Sequence, residues 1–238
     1  NSFVQVLGLL GTKTSMSLHG VITSNYDHAQ LFTSHYQFVD CVEIWGDQQL
    51  NAIKIKQDLL EQKRPLIVKN TNKFELKNKA IDENLIVIIG GKANDNDLYK
   101  LSKKIAKQTE LSIFKVVFRP HPDNPESYKD ARNLLVNRTM KFNSTTLSNA
   151  SLVITQSSTA LLEGLVFGCG CIVLNYPKFN LKFPTIYTEE CSFISKSKFL
   201  VSEDDRGTLS LVNSFINSEN FKLENRALSR KMFRWFVG

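Results

Sequence analysis

Residues 84–89 read Asn-Leu-Ile-Val-Ile-Ile and are stopped by Gly90-Gly91; this nearly unbroken apolar run constrains the fold most. A strand with one solvated face alternates apolar and polar residues. A run without alternation suits a strand covered on both faces, as in a parallel sheet between helical layers. The spacing then changes: over 95–109, Leu98, Leu101, Ile105 and Ala106 recur on one helical side. The same switching runs along the chain. Strands are predicted over 15–18, 42–45, 66–69, 113–118, 152–155 and 171–174, with a short one over 140–142. Helices are predicted over 47–62, 127–136, 159–167, 204–217 and 223–236, with Gly168 as the stop of the third. Such alternation predicts an α/β class: a Rossmann-like parallel sheet with helices on both faces. Ligands of such sheets bind beyond the carboxyl ends of the strands. The loops that follow strands are therefore where function is sought.

Charge narrows the partners. Thirty Lys and Arg against 23 Asp and Glu leave a formal charge of +7. That surplus favours anionic partners without choosing among phosphates, nucleic acid and lipid headgroups. The interleaved aromatic and basic residues of a nucleic-acid module are missing, and the lysines of 100–107 fit a solvated helix face. No apolar run approaches the roughly 20 residues that cross a bilayer. Residues 2–10 are apolar but short, with no basic stretch before them, so they are not read as a signal peptide. Cys41, Cys169, Cys171 and Cys191 form no Cys-x-x-Cys pair. That spacing argues against zinc and for reduced, buried thiols in a cytosolic protein.

Three strand-end loops carry residues suited to chemistry. Arg119-Pro120-His121-Pro122 follows the predicted strand 113–118. Two prolines stiffen the backbone around one histidine, whose imidazole can donate to a phosphate while Arg119 adds a fixed positive charge. The plainer alternative is a rigid turn whose histidine only packs. Gln156-Ser157-Ser158-Thr159 runs into the predicted helix carrying Glu163. Free amides and the positive dipole end make a helix start an anion site, and small hydroxyl residues let the anion approach. Glu163 lies four residues after Thr159, where a carboxylate can reach the ribose of a nucleotide whose phosphate sits at the cap. The alternative is a capped helix with a solvated glutamate. His19-Gly20 ends the predicted strand 15–18, where a histidine can act as general base or phosphate ligand. Asn94-Asp95-Asn96-Asp97 is the nearest acidic pattern and is expected to cap the helix after Gly90-Gly91.

Together these pieces resemble the GT-B bacterial transferases that build capsules and wall polymers, including CDP-glycerol glycerophosphotransferases and capsular polysialyltransferases. The residues that carry the resemblance are Ser17-Leu18-His19-Gly20-Val21-Ile22, Val42-Glu43-Ile44-Trp45-Gly46-Asp47, Phe118-Arg119-Pro120-His121-Pro122, and the stretch from Gln156 to Gly164. They span roughly two thirds of the chain. Where the family often has Gln or Trp before the His-Gly pair, Leu18 stands here. The resemblance implies that residues 1–40 are the end of an acceptor-side domain and its linker, of which most is missing. It implies a nucleotide-donor domain over 41–222, and a helix over 223–238 that packs back on the N-terminal part. It implies that His121 contacts the donor phosphate, with Arg119, Gln156, Ser157, Ser158 and Thr159 around it, that Glu163 binds the ribose, and that His19 faces the acceptor.

The expected activity is transfer of a sugar or glycerol phosphate from a CMP-, CDP- or UDP-linked donor to a growing polysaccharide or lipid-linked acceptor. No resident cofactor or metal is expected. A cytoplasmic location is expected, and the basic balance allows peripheral contact with an anionic membrane. Two rival readings stand beside it: a nucleotide-sugar 2-epimerase, and a non-catalytic nucleotide- or phosphate-binding module.

Overall fold

The computed structural model describes residues 10–17, 40–44, 46, 67–70, 84–91, 94–121, 124, 128–137, 147–156, 159–177 and 197–237. The chain divides into two compact units, Asn1–Glu75 with Arg234–Gly238, and Leu76–Phe233.

In the smaller unit, β1 (Ser15–Ser17), β2 (Cys41–Ile44) and β3 (Ile67–Asn70) form a parallel sheet in that order. Ser15 stands opposite Cys41, and Cys41 opposite Ile67. The amides of Asp40 and Cys41 both donate to the Thr14 carbonyl at 3.1 Å, which seats the start of β2 beside β1. The predicted helix 47–62 lies outside the described residues, as does the predicted strand 140–142.

The larger unit contains β4 (Leu85–Ile89), α1 (Asp95–Gln108), β5 (Lys115–Arg119), β6 (Leu134–Val136), β7 (Leu152–Thr155), α2 (Thr159–Val166), β8 (Gly170–Leu174), β9 (Val201–Ser202) and α3 (Asp205–Asn217). Helix α4 (Glu219–Val237) follows. The six strands are all parallel, in the order β6-β5-β4-β7-β8-β9. From β4 the chain winds outward through β5 and β6, then returns to the other side of β4 and winds outward through β7, β8 and β9. The reversal lies between β4 and β7, and a doubly wound sheet opens its ligand crevice at such a reversal.

Side chains alternate across the sheet. Ile86, Ile88, Val116, Phe118, Leu152, Ile154, Ile172 and Leu174 share a buried cluster with Leu98, Leu101 and Ile105 of α1 and Val212 and Phe215 of α3. The tilted and edge-on rings of Tyr99, Phe118 and Tyr128, 4.8–5.5 Å apart, fix α1 against β5. Val153 faces the opposite way and meets α2, where a Cβ on Gly164 would stand 2.9 Å from Val153 Cγ2. Helices thus cover both faces, and glycine at 164 lets α2 approach β7 closely.

One predicted helix is a strand instead. Residues 127–136 were expected to be helical, but Leu134–Val136 form edge strand β6, with Leu134 and Val136 buried and Leu135 exposed. Asn133 adopts φ +56°, a left-handed turn that a continuing helix cannot contain. Its side-chain Nδ2 donates to Ala106 O, Thr109 Oγ1 and Phe114 O, so tertiary contacts hold the turn. Gly168 has φ +78° and ends α2 as expected.

Strand β9 is only two residues long and pairs with Val173 and Leu174 alone. The earlier half of β8 would then show bare backbone groups at its edge. Asn225 of α4 closes that gap. Its Oδ1 accepts from Cys171 N at 3.0 Å, and its Nδ2 donates to Cys171 O at 2.8 Å and Phe199 O at 2.7 Å. Cys41, Cys169 and Cys171 are free and buried. No helix among the described residues is long and apolar enough to cross a membrane.

Candidate functional site at the carboxyl ends of three strands

Parallel register places three loops on one edge of the sheet. Arg119, last residue of β5, and Thr155, last residue of β7, both stand opposite Ile89, last residue of β4. At about 4.8 Å per strand, the Arg119 and Thr155 backbones are roughly 10 Å apart with the β4 end between them. Gly90-Gly91, Pro120-His121 and Gln156 continue from these ends.

The start of α1 ties the loops together. The stretch 94–97 is expected to cap this helix, yet Asn94 at the cap position makes no side-chain cap hydrogen bond. Instead its Nδ2 donates to Gln156 Oε1, beyond β7. Asp95 reaches the other way: its two carboxylate oxygens accept from His121 N at 2.8 and 3.1 Å. Asn124 Nδ2 also donates to Asp95 at 3.4 Å, and Asn124 N donates to His121 O at 2.9 Å. His121 and Asn124 are therefore both held by one carboxylate.

Asp95 is 3% exposed. Burial raises its pKa above the ordinary carboxylate value, against the lowering effects of the His121 amide, the Asn124 side chain and the His121 charge. Gly90 leaves room beside it, because a Cβ there would lie 1.8 Å from Asp95 Oδ1 and 3.1 Å from Arg119 O. Gly90 N donates to that Arg119 carbonyl at 2.7 Å, joining the β4 and β5 ends directly.

Gln156 is 4% exposed, and its Nε2 has no hydrogen-bond partner among the described residues. A buried amide donor left unpaired costs about 1–3 kcal/mol, so it is a group with unused binding capacity at the switch point. Arg119 and His121 are half-buried. Thr159 opens α2, and Glu163 sits one turn later. His19, Ser157 and Ser158 lie outside the described residues. The structure thus brings Arg119, His121, Gln156 and the start of α2 to one edge. It adds Gly90, Asn94, Asp95 and Asn124, none of them among the expected site residues. Among the described residues no three His, Cys, Asp or Glu side chains form a group that would hold a metal.

No family model matches the chain. A comparison with curated proteins finds no match. Solved structures do match. The wall teichoic acid polymerase TagF superposes with a TM-score of 0.63 at 10% identity, over 95% of this chain and 63% of that one. A UDP-forming α,α-trehalose-phosphate synthase from Burkholderia vietnamiensis gives 0.55 at 10%, over 98% and 66%. A Listeria monocytogenes protein assigned as a UDP-N-acetylglucosamine 2-epimerase gives 0.56 at 12%, over 98% and 64%. The fold is the GT-B type. At these identities the likeness is one of fold. The chain spans between 52% and 67% of the length of such GT-B chains. The expected Rossmann-like parallel sheet with helices on both faces is present.

Proposed function

We propose that the carboxyl edge of β5, β4 and β7 binds the phosphate or diphosphate of a nucleotide-activated donor, and that the protein transfers the donor's sugar or glycerol phosphate to a growing capsular or wall polysaccharide or lipid-linked acceptor. One observation carries this reading: at the reversal of strand order, the Arg119-Pro120-His121 loop and the Gln156 loop leading into α2 flank the same strand end. When the donor bond breaks, negative charge grows on the departing nucleotide phosphate. Arg119, His121 and the amides at the start of α2 would stabilise that charge, and preoriented donors of this kind supply much of an enzyme's rate enhancement. Ser157, Ser158 and Thr159 would line the phosphate, and Gln156 Nε2 would find its missing acceptor there. Glu163 would hold the ribose hydroxyls. His19 would take the proton from the attacking acceptor hydroxyl. Among the solved neighbours, one TagF crystal was soaked with CDPG, in line with a cytidine donor here. The +7 charge suits an enzyme that works on anionic polymers at a membrane surface.

A thermal-shift screen of CDP, CMP, UDP and GDP tests the reading. A nucleotide at a hundredfold its dissociation constant adds about 2.7 kcal/mol, roughly 5–10 °C for a domain of this size. His121→Ala is expected to abolish most of the shift and lower turnover while leaving folding intact. If none of the four nucleotides stabilises the chain, or if His121→Ala turns over normally, the reading is wrong.

The Listeria neighbour favours a second reading, a nucleotide-sugar 2-epimerase. It predicts release of free epimerised sugar without any acceptor. Asp95 is 3% exposed and already accepts from the His121 amide and the Asn124 side chain, so it is not open to a substrate.

A further inference from the structure

Asp95 belongs to none of the expected site residues, yet it is the point on which the His121 loop hangs. Three facts converge on it. Both its oxygens accept from the His121 amide, although the carboxylate is buried on the first turn of a helix from the neighbouring strand. Asn124 donates to it by side chain and to the His121 carbonyl by backbone, so the peptide groups on both sides of the His121 Cα are held. Gly90 has given up its Cβ to make room for Oδ1. The preceding residue, Asn94, grips Gln156 on the far side of β4. One helix start therefore sets the two loops that flank the crevice.

We infer that Asp95 is a positioning residue that acts through His121, fixing where the imidazole meets the donor phosphate. This rests on the reading that His121 binds a nucleotide donor. A carboxylate serves better than a neutral group because two oxygens can accept at once from donors on one loop. Asp95→Asn keeps the volume but replaces one acceptor with a donor that faces the His121 and Asn124 N–H groups. Gly90→Ala attacks the same contact from the other side by displacing Oδ1.

The test is a double-mutant cycle in the full chain, read by calorimetric titration with CDP (with UDP or GDP where the screen selects one of those). Asp95→Asn and Gly90→Ala are each expected to weaken binding about tenfold, the scale of one hydrogen bond to a charged group. In the His121→Ala background both are expected to add almost nothing, because the group they position is gone. Asp97→Asn, two residues on and paired with Lys100 at the surface, removes the same charge and is expected to bind as the wild type does. Far-UV circular dichroism shows whether each variant is folded, and either of the two perturbing variants suffices. Folded Asp95→Asn or Gly90→Ala with wild-type affinity, alongside a weakened His121→Ala, overturns the inference and leaves the donor-site reading standing. Equal losses with and without His121 overturn it too, since Asp95 would then act by another route. Wild-type affinity in His121→Ala, or no binding of any nucleotide, removes the donor-site reading and this inference with it.

Discussion

Asn225→Ala should unfold this protein more readily than any surface change, and the loss can be worked out group by group. Asn225 is fully buried and bonds three backbone groups that β9 is too short to pair. Cys171 N keeps a second partner in Ser229 Oγ at 3.1 Å. The Cys171 and Phe199 carbonyls accept from the Asn225 amide. A buried acceptor stripped of its partner costs about 1–3 kcal/mol, and the half-buried Phe199 carbonyl costs less than the buried Cys171 carbonyl, so the two together cost about 2–5 kcal/mol. Total stability of a domain is about 5–15 kcal/mol, which makes this a large fraction. Urea unfolding followed by far-UV circular dichroism would show a lower midpoint with an unchanged slope, and the melting temperature should fall by roughly 5–15 °C. Gly170→Ala strikes the same amide, because its Cβ would lie 2.4 Å from Asn225 Oδ1 and 2.6 Å from Phe215 Cε2. The double variant should therefore lose clearly less than the two single losses added together. A loss under about 1 kcal/mol for Asn225→Ala would refute the claim that α4 completes the edge of β8.

Two further outcomes follow from buried titrating groups. Burial pushes the Cys169 and Cys171 thiols up to about 12, so in the folded chain both should resist alkylation at pH 8 and react only on unfolding, as mass spectrometry of trapped adducts would show. A raised folded pKa means the folded state holds its proton longer, so these thiols contribute stability that falls as pH climbs from 9 toward 12. Asp95 behaves alike at the acid end. Its folded pKa lies above the ordinary 3.8, so its contribution is complete below that value and declines as pH rises through the folded pKa. Asp95→Asn removes that decline, and the stability difference, variant minus wild type, should grow with pH across the carboxylate range in urea titrations.

How far the sequence could be read depended on whether the signal was local. The apolar runs of β4, β7 and β8 and the helical spacing of α1 are consequences of burial on known faces, and both sequence and structure show them within a residue or two. The loops after β5 and β7 stood out because proline, histidine and small hydroxyl residues are unusual together. Residues 127–136 misled because Leu134, Leu135 and Val136 satisfy either period, and the deciding element was Asn133 turning against Ala106, Thr109 and Phe114. Strand β9 is too short to show periodicity. Asp95 looked like a capping residue because acids favour the first turn of a helix. Its real partners lie 26 and 29 residues away in the chain, a pairing that only the parallel register of β4 and β5 creates.

A crystal structure of the chain with CDP bound would test the central claim most directly. The account predicts the diphosphate within hydrogen-bonding distance of His121 and the start of α2, with Gln156 Nε2 satisfied. A cavity of about 500 Å³ opens further along the same edge, lined by Tyr176, Pro177 and the largely acidic run from Glu203 to Arg206. Nucleotide phosphates seated there, or anywhere away from the β5, β4 and β7 ends, would contradict it.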